Sequence, residues 1–391
     1  MHKWGLALAT ALLAGCATAP LADRAEVYPT QPSEMLPIED QQVLFWDDAT
    51  RSDRFRRMED IFAGIEAEGD REYRALPRGE PFDAATLAKI DGYLVEMNAA
   101  GIMVLQDGEV RLEKYRLGFG PEQRWTSFSV AKSFTSTLLG AAIKDGAIGS
   151  IDDPVTRYLP ALAGTADEGV TVRQLITMTS GVRWNEDYAD PNSDVAKMLL
   201  VAPVAGESQA VTYARRLVRE PPRGDQWVYK TLETNLLGDL VAAATGRSLA
   251  DYAKEKIVDP AGFEGGLFWM TDLTGGNIGG CCLSIHLSDY ARMGQWVLEG
   301  GQPSVPEGWF EDAGGAQVDL GRGFGYGYQW WTYPGDFYGA QGIFGQYITI
   351  VPEQDMVVAV VSNYPTATGE GLTKARTSLW QTLIEAGSKQ P

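Results

Sequence analysis

Ser129-Val130-Ala131-Lys132 is the strongest chemical signal in the chain. Residues three apart on a helix share a face. A helix beginning at Ser129 would bring the hydroxyl and the ammonium together at its N-terminus, where free N–H groups and the dipole favour negative charge. A serine needs a nearby base to act as a nucleophile. A lysine can be that base once burial disfavours its charged form. The same pattern also arises by chance, as a helix cap followed by a solvated lysine, so the surroundings must decide. The chain has no Gly-x-Ser-x-Gly elbow, no His-Glu-x-x-His and no phosphate-binding loop. Of its 2 histidines, His2 lies at the extreme N-terminus and His286 sits in Ser284-Ile-His-Leu-Ser, a helix-start pattern that suggests a surface or capping position. A hydrolase built on this chain needs a base other than histidine, and Lys132 can supply it. So few histidines also exclude most multi-histidine metal sites.

These residues need elements to hold them. Residues 129–144 are small and apolar, a buried helix. Residues 83–98 form an amphipathic helix, with Leu87, Ile90, Leu94 and Met97 on one face and Asp83 as its cap. Residues 102–115 are predicted to be a β-hairpin turning at Asp107-Gly108. Residues 152–262 are mostly helical, and after Gly321 the pattern turns to strand, at 324–332, 345–351 and 356–362, before a closing helix at 373–386. Strands at both ends with helices between predict an α/β fold, an antiparallel β-sheet flanked by helices with an inserted all-helical domain. The expected divisions are a signal at 1–15, a tether at 16–37, a helical N-terminal extension at 38–80, an α/β domain from 81–145 plus 266–391, and a helical domain at 146–265.

Thr126-Ser-Phe-Ser-Val-Ala-Lys-Ser-Phe-Thr-Ser resembles the first motif of the class C β-lactamase-like serine hydrolases. The segment with Ile151-Asp-Asp-Pro-Val and Tyr158-Leu-Pro, and the block Val170-Thr-Val-Arg-Gln-Leu-Ile-Thr-Met-Thr-Ser-Gly-Val, are similar to later family blocks in order and spacing. The block Trp184-Asn-Glu-Asp-Tyr-Ala-Asp-Pro and Gly342-Ile-Phe-Gly-Gln resemble the 6-aminohexanoate-dimer hydrolases and related carboxylesterases. The resemblance implies a β-lactamase/transpeptidase-like fold and a catalytic Ser129, Lys132 and Tyr229. Tyr229-Lys-Thr stands where the family carries Tyr-x-Asn, so Thr231 replaces the Asn. The third motif, Lys-Thr-Gly or His-x-Gly in lactamases and peptidases, would fall in Phe337-Tyr-Gly-Ala-Gln-Gly-Ile, which has no Lys or His. Its backbone role remains, with the N–H groups of Ser129 and Ile343 as the oxyanion hole. The resemblance further suggests Tyr188 as a mobile substrate contact and Asn277 as a polar lining residue. With no cation on the strand, uncharged esters are favoured over lactams. Arg322 and Lys230 are the first candidates should a cation reach the site from elsewhere.

The chain starts with a short basic segment and a small-residue apolar run, Trp4 to Gly15, too short to span a bilayer. Its ending, Leu13-Ala-Gly-Cys16, resembles a bacterial lipoprotein signal box, implying lipid on Cys16. Ala17 after it fits outer-membrane rather than inner-membrane sorting. The other reading is ordinary cleavage near residues 17–19, without lipid. The expected setting is the periplasmic side of a bacterial envelope, with membrane contact through the lipid only. Adjacent Cys281 and Cys282 are closer than ordinary disulfides allow and are expected as small buried hydrophobes, a strained vicinal disulfide being the other reading. A net charge of -19 disfavours a nucleic-acid partner. The expected protein is an exported serine hydrolase of small esters or linear amides that needs no metal or organic cofactor. Its rivals are a β-lactamase or D-alanyl-D-alanine peptidase, and a catalytically silent envelope binding protein. Oligomeric state is left open.

Overall fold

The computed structural model describes residues 34–69, 72–220 and 227–388. The signal and Cys16 lie outside the described residues.

Twelve strands make two antiparallel sheets among them. They are β1 (Gly64–Ala67), β2 (Ala99–Gln106), β3 (Glu109–Tyr115), β4 (Arg124–Thr126), β5 (Leu267–Met270), β6 (Leu283–His286), β7 (Val318–Gly321), β8 (Phe324–Tyr326), β9 (Trp331–Tyr333), β10 (Phe337–Gly342), β11 (Gln346–Val351) and β12 (Met356–Ser362). The large sheet has the order β3-β2-β12-β11-β10-β9-β8-β7, and the small one β1-β5-β6-β4. β12 is buried along its whole length. Its unbroken Val/Ala run, with no polar alternation, is what a strand covered on both faces requires. The β2–β3 hairpin turns at Asp107 and Gly108, both at positive φ (54° and 74°), as a type I′ turn demands.

Helices cover both faces of the large sheet. On one side lie the helices Ala84–Glu96 and Glu370–Gly387, sharing a core with β2, β11 and β12. The first is capped by Asp83, whose Oδ1 accepts from Thr86 N at 2.8 Å. On the other side the helix Leu287–Leu298 lies against β12, β2 and β11. A Cβ on its Gly294 would come within 2.4 Å of Val357 Cγ1, so only glycine permits this approach. Between β4 and β5 runs a predominantly helical stretch of short helices and turns, with Thr231–Thr245 its longest element. That helix packs on Ala131–Lys144, whose first twelve residues are all buried.

The N-terminal extension differs from the expected helical segment. It has two short helices, Asp48–Arg54 and Met58–Ile61, and then β1. The sequence Gly-Ile-Glu-Ala is buried except at Glu66 and pairs with β5, so sheet pairing decides its state. Arg51 is buried and ties this extension to the end of β12. Its Nε donates to Asn363 Oδ1 at 2.7 Å, and Asn363 Nδ2 donates to Asp48 O at 2.9 Å. Cys281 and Cys282 are joined in a disulfide rather than standing as two thiols.

Candidate active site

Ser129 does not begin the α-helix but precedes it by two residues. A 3-10 turn, Phe128–Val130, leads into the helix Ala131–Lys144. Phe128 has φ 44°, a left-handed conformation uncommon for a bulky residue. Packing holds it there. Its ring meets Phe55 of the N-terminal extension edge-on at 4.9 Å and Phe344 at 5.4 Å. Ser127 clamps the same segment to β6, with its N–H donating to Leu283 O and its hydroxyl accepting from Leu283 N. Strained backbone that its surroundings over-determine is common where a reactive group must be presented.

Lys132 lies one turn further on, and its side chain is 1 % exposed. Its Nζ donates to Ser129 Oγ at 3.1 Å, Thr231 Oγ1 at 3.1 Å and Gly280 O at 2.7 Å. Burial lowers its pKa from 10.5 to about 8, an effect the nearby Glu186 carboxylate partly offsets. At that value about a tenth of the lysine is neutral at pH 7 and about half at pH 8, far more than an ordinary lysine offers a general base. Gly280 is pinned in turn, because its N–H donates to Asn235 Oδ1 at 2.7 Å. Tyr229 lines the same cavity as Ser129, and the Lys132 ammonium lies 5.2 Å from its ring centre. Burial pushes the phenol well above its ordinary value, while the Ser129 hydroxyl acts the other way. Trp331 stacks on the Tyr229 ring at 5.6 Å, with Trp227 and Tyr326 closing the sides. Ser129, Lys132 and Tyr229 therefore converge.

The strand that should supply the second oxyanion donor runs against the nucleophile. A Cβ on Gly342 would stand 2.5 Å from Ser127 O and 3.0 Å from Ser129 N. Ile343 follows it, with its carbonyl held by Gln346 Nε2 at 3.2 Å. Ser129, Tyr229 and Ile343 line one cavity of about 540 Å³ with Tyr188, Glu186 and Arg376. Tyr188 is thus at the site, donating its hydroxyl to Glu186 Oε1 at 2.8 Å.

Asn277 is not at the site. Its Oδ1 accepts from Ala250 N and its Nδ2 donates to Trp269 O, so both ends of its amide hold backbone. His286 stands at the N-cap position of the helix Leu287–Leu298, as the helix-start pattern predicted, but its side chain does no capping. It ends β6 with its side chain 15 % exposed and makes no capping bond, and burial lowers its pKa. Sequence reasoning missed Glu186, Arg376 and the role of Asn235. Glu186 caps the helix Thr231–Thr245. Its Oε2 accepts from Thr231 N at 2.9 Å, and it also accepts from the Thr231 hydroxyl and Trp184 Nε1. Thr231, where the family motif has Asn, thereby links Lys132 to a carboxylate. The expectation of a site without a cation also fails. Arg376 reaches in from the C-terminal helix, with Nη1 donating to Gln341 Oε1 at 2.6 Å and its guanidinium over Trp380. Among the described residues no carboxylate pairs with it, and its Nε is buried without a partner. Lys230 is instead buried against Glu233 at 2.7 Å, and Arg322 does not line the cavity.

Comparison with known proteins bears on the family and the fold. The family model described as Beta-lactamase matches residues 88–270 and 286–379. A 6-aminohexanoate-dimer hydrolase of Paenarthrobacter ureafaciens is 29% identical over 312 residues, covering 72% of this chain and 77% of that protein. A D-aminopeptidase of Brucella anthropi is 31% identical over 183 residues, 42% of this chain and 31% of that protein. Among solved structures, a candidate 6-aminohexanoate-dimer hydrolase from Bacillus anthracis superposes with TM-score 0.77 at 19% identity, covering 93% of this chain and all (100%) of that one. A class C β-lactamase from Rhodobacter sphaeroides gives TM-score 0.58 at 18% identity, covering 77% of this chain and 100% of that one.

Proposed function

Because this chain belongs to the Beta-lactamase family of serine hydrolases, we propose that it cleaves small carboxylic esters or linear amides through an acyl-enzyme on Ser129. The observation that carries the reading is a buried Lys132, with its pKa lowered to about 8, in hydrogen-bond contact with Ser129 Oγ beside Tyr229. Lys132 and Tyr229 take the hydroxyl proton as Oγ attacks the carbonyl carbon. The N–H groups of Ser129 and Ile343 receive the negative charge on the carbonyl oxygen. The proton then passes to the departing alcohol or amine, and water releases the acid by the same steps in reverse order.

The cavity supports a wider substrate range than its strand alone suggested. Arg376 offers a partner for a carboxylate, and Glu186 and Asp187 also line the cavity. A linear amide carrying a terminal carboxylate fits such walls, which agrees with the substrate named for the Paenarthrobacter ureafaciens relative. The same cation favours a carboxylate-bearing lactam as the second reading. Purified protein and its Ser129→Ala variant, assayed on p-nitrophenyl acetate, 6-aminohexanoate dimer and nitrocefin, test the proposal. All turnover should vanish with Ser129→Ala, and the ester or the linear amide should outpace nitrocefin. A folded Ser129→Ala sample that keeps more than a few percent of activity refutes the mechanism, and nitrocefin as the best substrate reverses the order of the readings. We also propose lipid anchoring at Cys16 in the bacterial envelope. Label from a fatty acid should enter the wild type and be lost in Cys16→Ser.

A further inference from the structure

The large apolar side chains that face solvent are not scattered. Of the eleven exposed among the described residues, six ring one opening: Met35, Ile38, Phe45, Leu199, Leu200 and Leu273. Leu200 and Leu273 are each 47% exposed and Ile38 is 52% exposed. Behind them is a cavity of about 250 Å³ with Phe62, Met270 and Ile278 in its walls. Soluble proteins seldom expose contiguous apolar surface of this kind unless something covers it.

Charge is nearly absent from this opening, although the protein carries -19 overall. Among the described residues Asp272 is the one ionisable side chain lining it, and its oxygens are occupied by Gln209 N and by Thr274 N. A partner held here is held by apolar contact. The course of the chain narrows the choice further. Its described part begins at Glu34, whose carboxylate pairs with Arg57 at 2.6 Å, while Leu36 N bonds Ile61 O at 3.0 Å. Met35, between them, is on the rim. The described chain therefore starts on the rim of the patch, and 18 residues separate Cys16 from Glu34 in sequence, which bounds their reach at about 60 Å. No helix among the described residues is long and apolar enough to cross a membrane, so contact by this part is contact at a surface.

We propose that this patch rests on a neutral phospholipid bilayer, with the rim side chains inserted at the boundary between headgroups and acyl chains. Such binding scales with apolar area and does not depend on screening by salt. The acidic body disfavours anionic lipid. The surface also sets where substrate arrives. Pro191 lines the patch and Tyr188 lines the catalytic cavity, so one short loop joins the membrane contact to the site. The proposal does not rest on the hydrolase reading.

The full chain carrying Cys16→Ser, which cannot be lipidated there, should be sedimented with phosphatidylcholine vesicles beside the same protein carrying also Leu200→Ser and Leu273→Ser. Both share residues 1–33, so any binding by that segment is common to them. The expected result is that the patch substitutions weaken partitioning by about tenfold. That difference should survive about 0.5 M salt, shrink when phosphatidylglycerol is added, and leave melting temperature and p-nitrophenyl acetate turnover unchanged. If the double variant melts lower, Ile38→Ser, on an exposed 3-10 turn, replaces it. Equal partitioning of parent and variant overturns the proposal. So does a dimer in sedimentation velocity that the same substitutions dissolve, because a second copy would then be the cover.

Discussion

Gly342→Ala is the sharpest test of how the catalytic cavity is built. The glycine ends β10 with its missing side chain aimed at the backbone of the nucleophile segment. A Cβ there would lie 2.5 Å from Ser127 O and 3.0 Å from Ser129 N, where ordinary contact begins at 3.4 Å. Neither neighbour is the tip of a flexible side chain. Ser127 is clamped to β6 on both its N–H and its hydroxyl, and β10 is paired on both edges. Relieving the contact requires a shift of about 0.9 Å between the segments that carry the Ser129 and Ile343 N–H groups. Overpacking of this size costs about 1–3 kcal/mol of stability. Misplacement by about 1 Å can cost about a hundredfold in rate, and losing one oxyanion donor costs about 10²–10³ in kcat. Steady-state kinetics of the purified variant on p-nitrophenyl acetate should show kcat down by at least about a hundredfold with KM little changed, in a protein that still melts cooperatively. A variant within about fivefold of wild-type kcat would mean that these two N–H groups do not receive the oxyanion.

Three further outcomes follow from the same geometry. If neutral Lys132 is the working form, kcat/KM should rise with pH and level off above about 8, since burial lowers this lysine to that value. Glu186 favours the charged form, so Glu186→Gln should move the rising limb to lower pH, and an upward or absent shift refutes the coupling. Arg376→Ala should raise KM at least about tenfold for nitrocefin or a linear amide acid, the worth of one charge-assisted bond, and leave p-nitrophenyl acetate within about twofold; equal effects on both would remove the arginine from carboxylate recognition. Lys230 and Glu233, both 2 % exposed, form a buried pair, and burial already raises Glu233 to about 7. Lys230→Met should cost about 3–5 kcal/mol in chemical denaturation, largely recovered by adding Glu233→Leu; a loss below about 1 kcal/mol would contradict it.

What could be read from the sequence was what local spacing carries. Ser129 and Lys132 are one turn apart, so any helix there brings them together, and the Asp107-Gly108 turn and the Asp83 cap are equally local. The fold class was legible for the same reason, because an apolar run such as Met356–Ser362 and an amphipathic run such as Ala84–Glu96 each have one stable way to be buried. Arg376 escaped notice because it meets the site only when the C-terminal helix docks beside Gln341, and nothing near it in sequence marks it. Glu186 lies in a quoted block, yet its role as cap to a helix starting at Thr231 depends on tertiary contact. Asn277 was misread for the opposite reason. A polar side chain in a Gly-rich turn resembles a lining residue until its two backbone partners are seen. The strand Gly64–Ala67 is too short to show a period and is made a strand by β5.

The joint between Arg51 and Asn363 has a bearing on when the protein can fold. The first helix of the described chain is locked to the end of the last strand, and β2 finds its central partner in β12, with Val104 opposite Val358. During synthesis at about 5–20 residues per second, the early hairpin waits on the order of tens of seconds for the strand that completes its sheet. Until then its apolar edge has no native partner. A nascent chain of this topology stays open until nearly all of it exists, and its aggregation risk falls in that interval rather than after the last strand arrives.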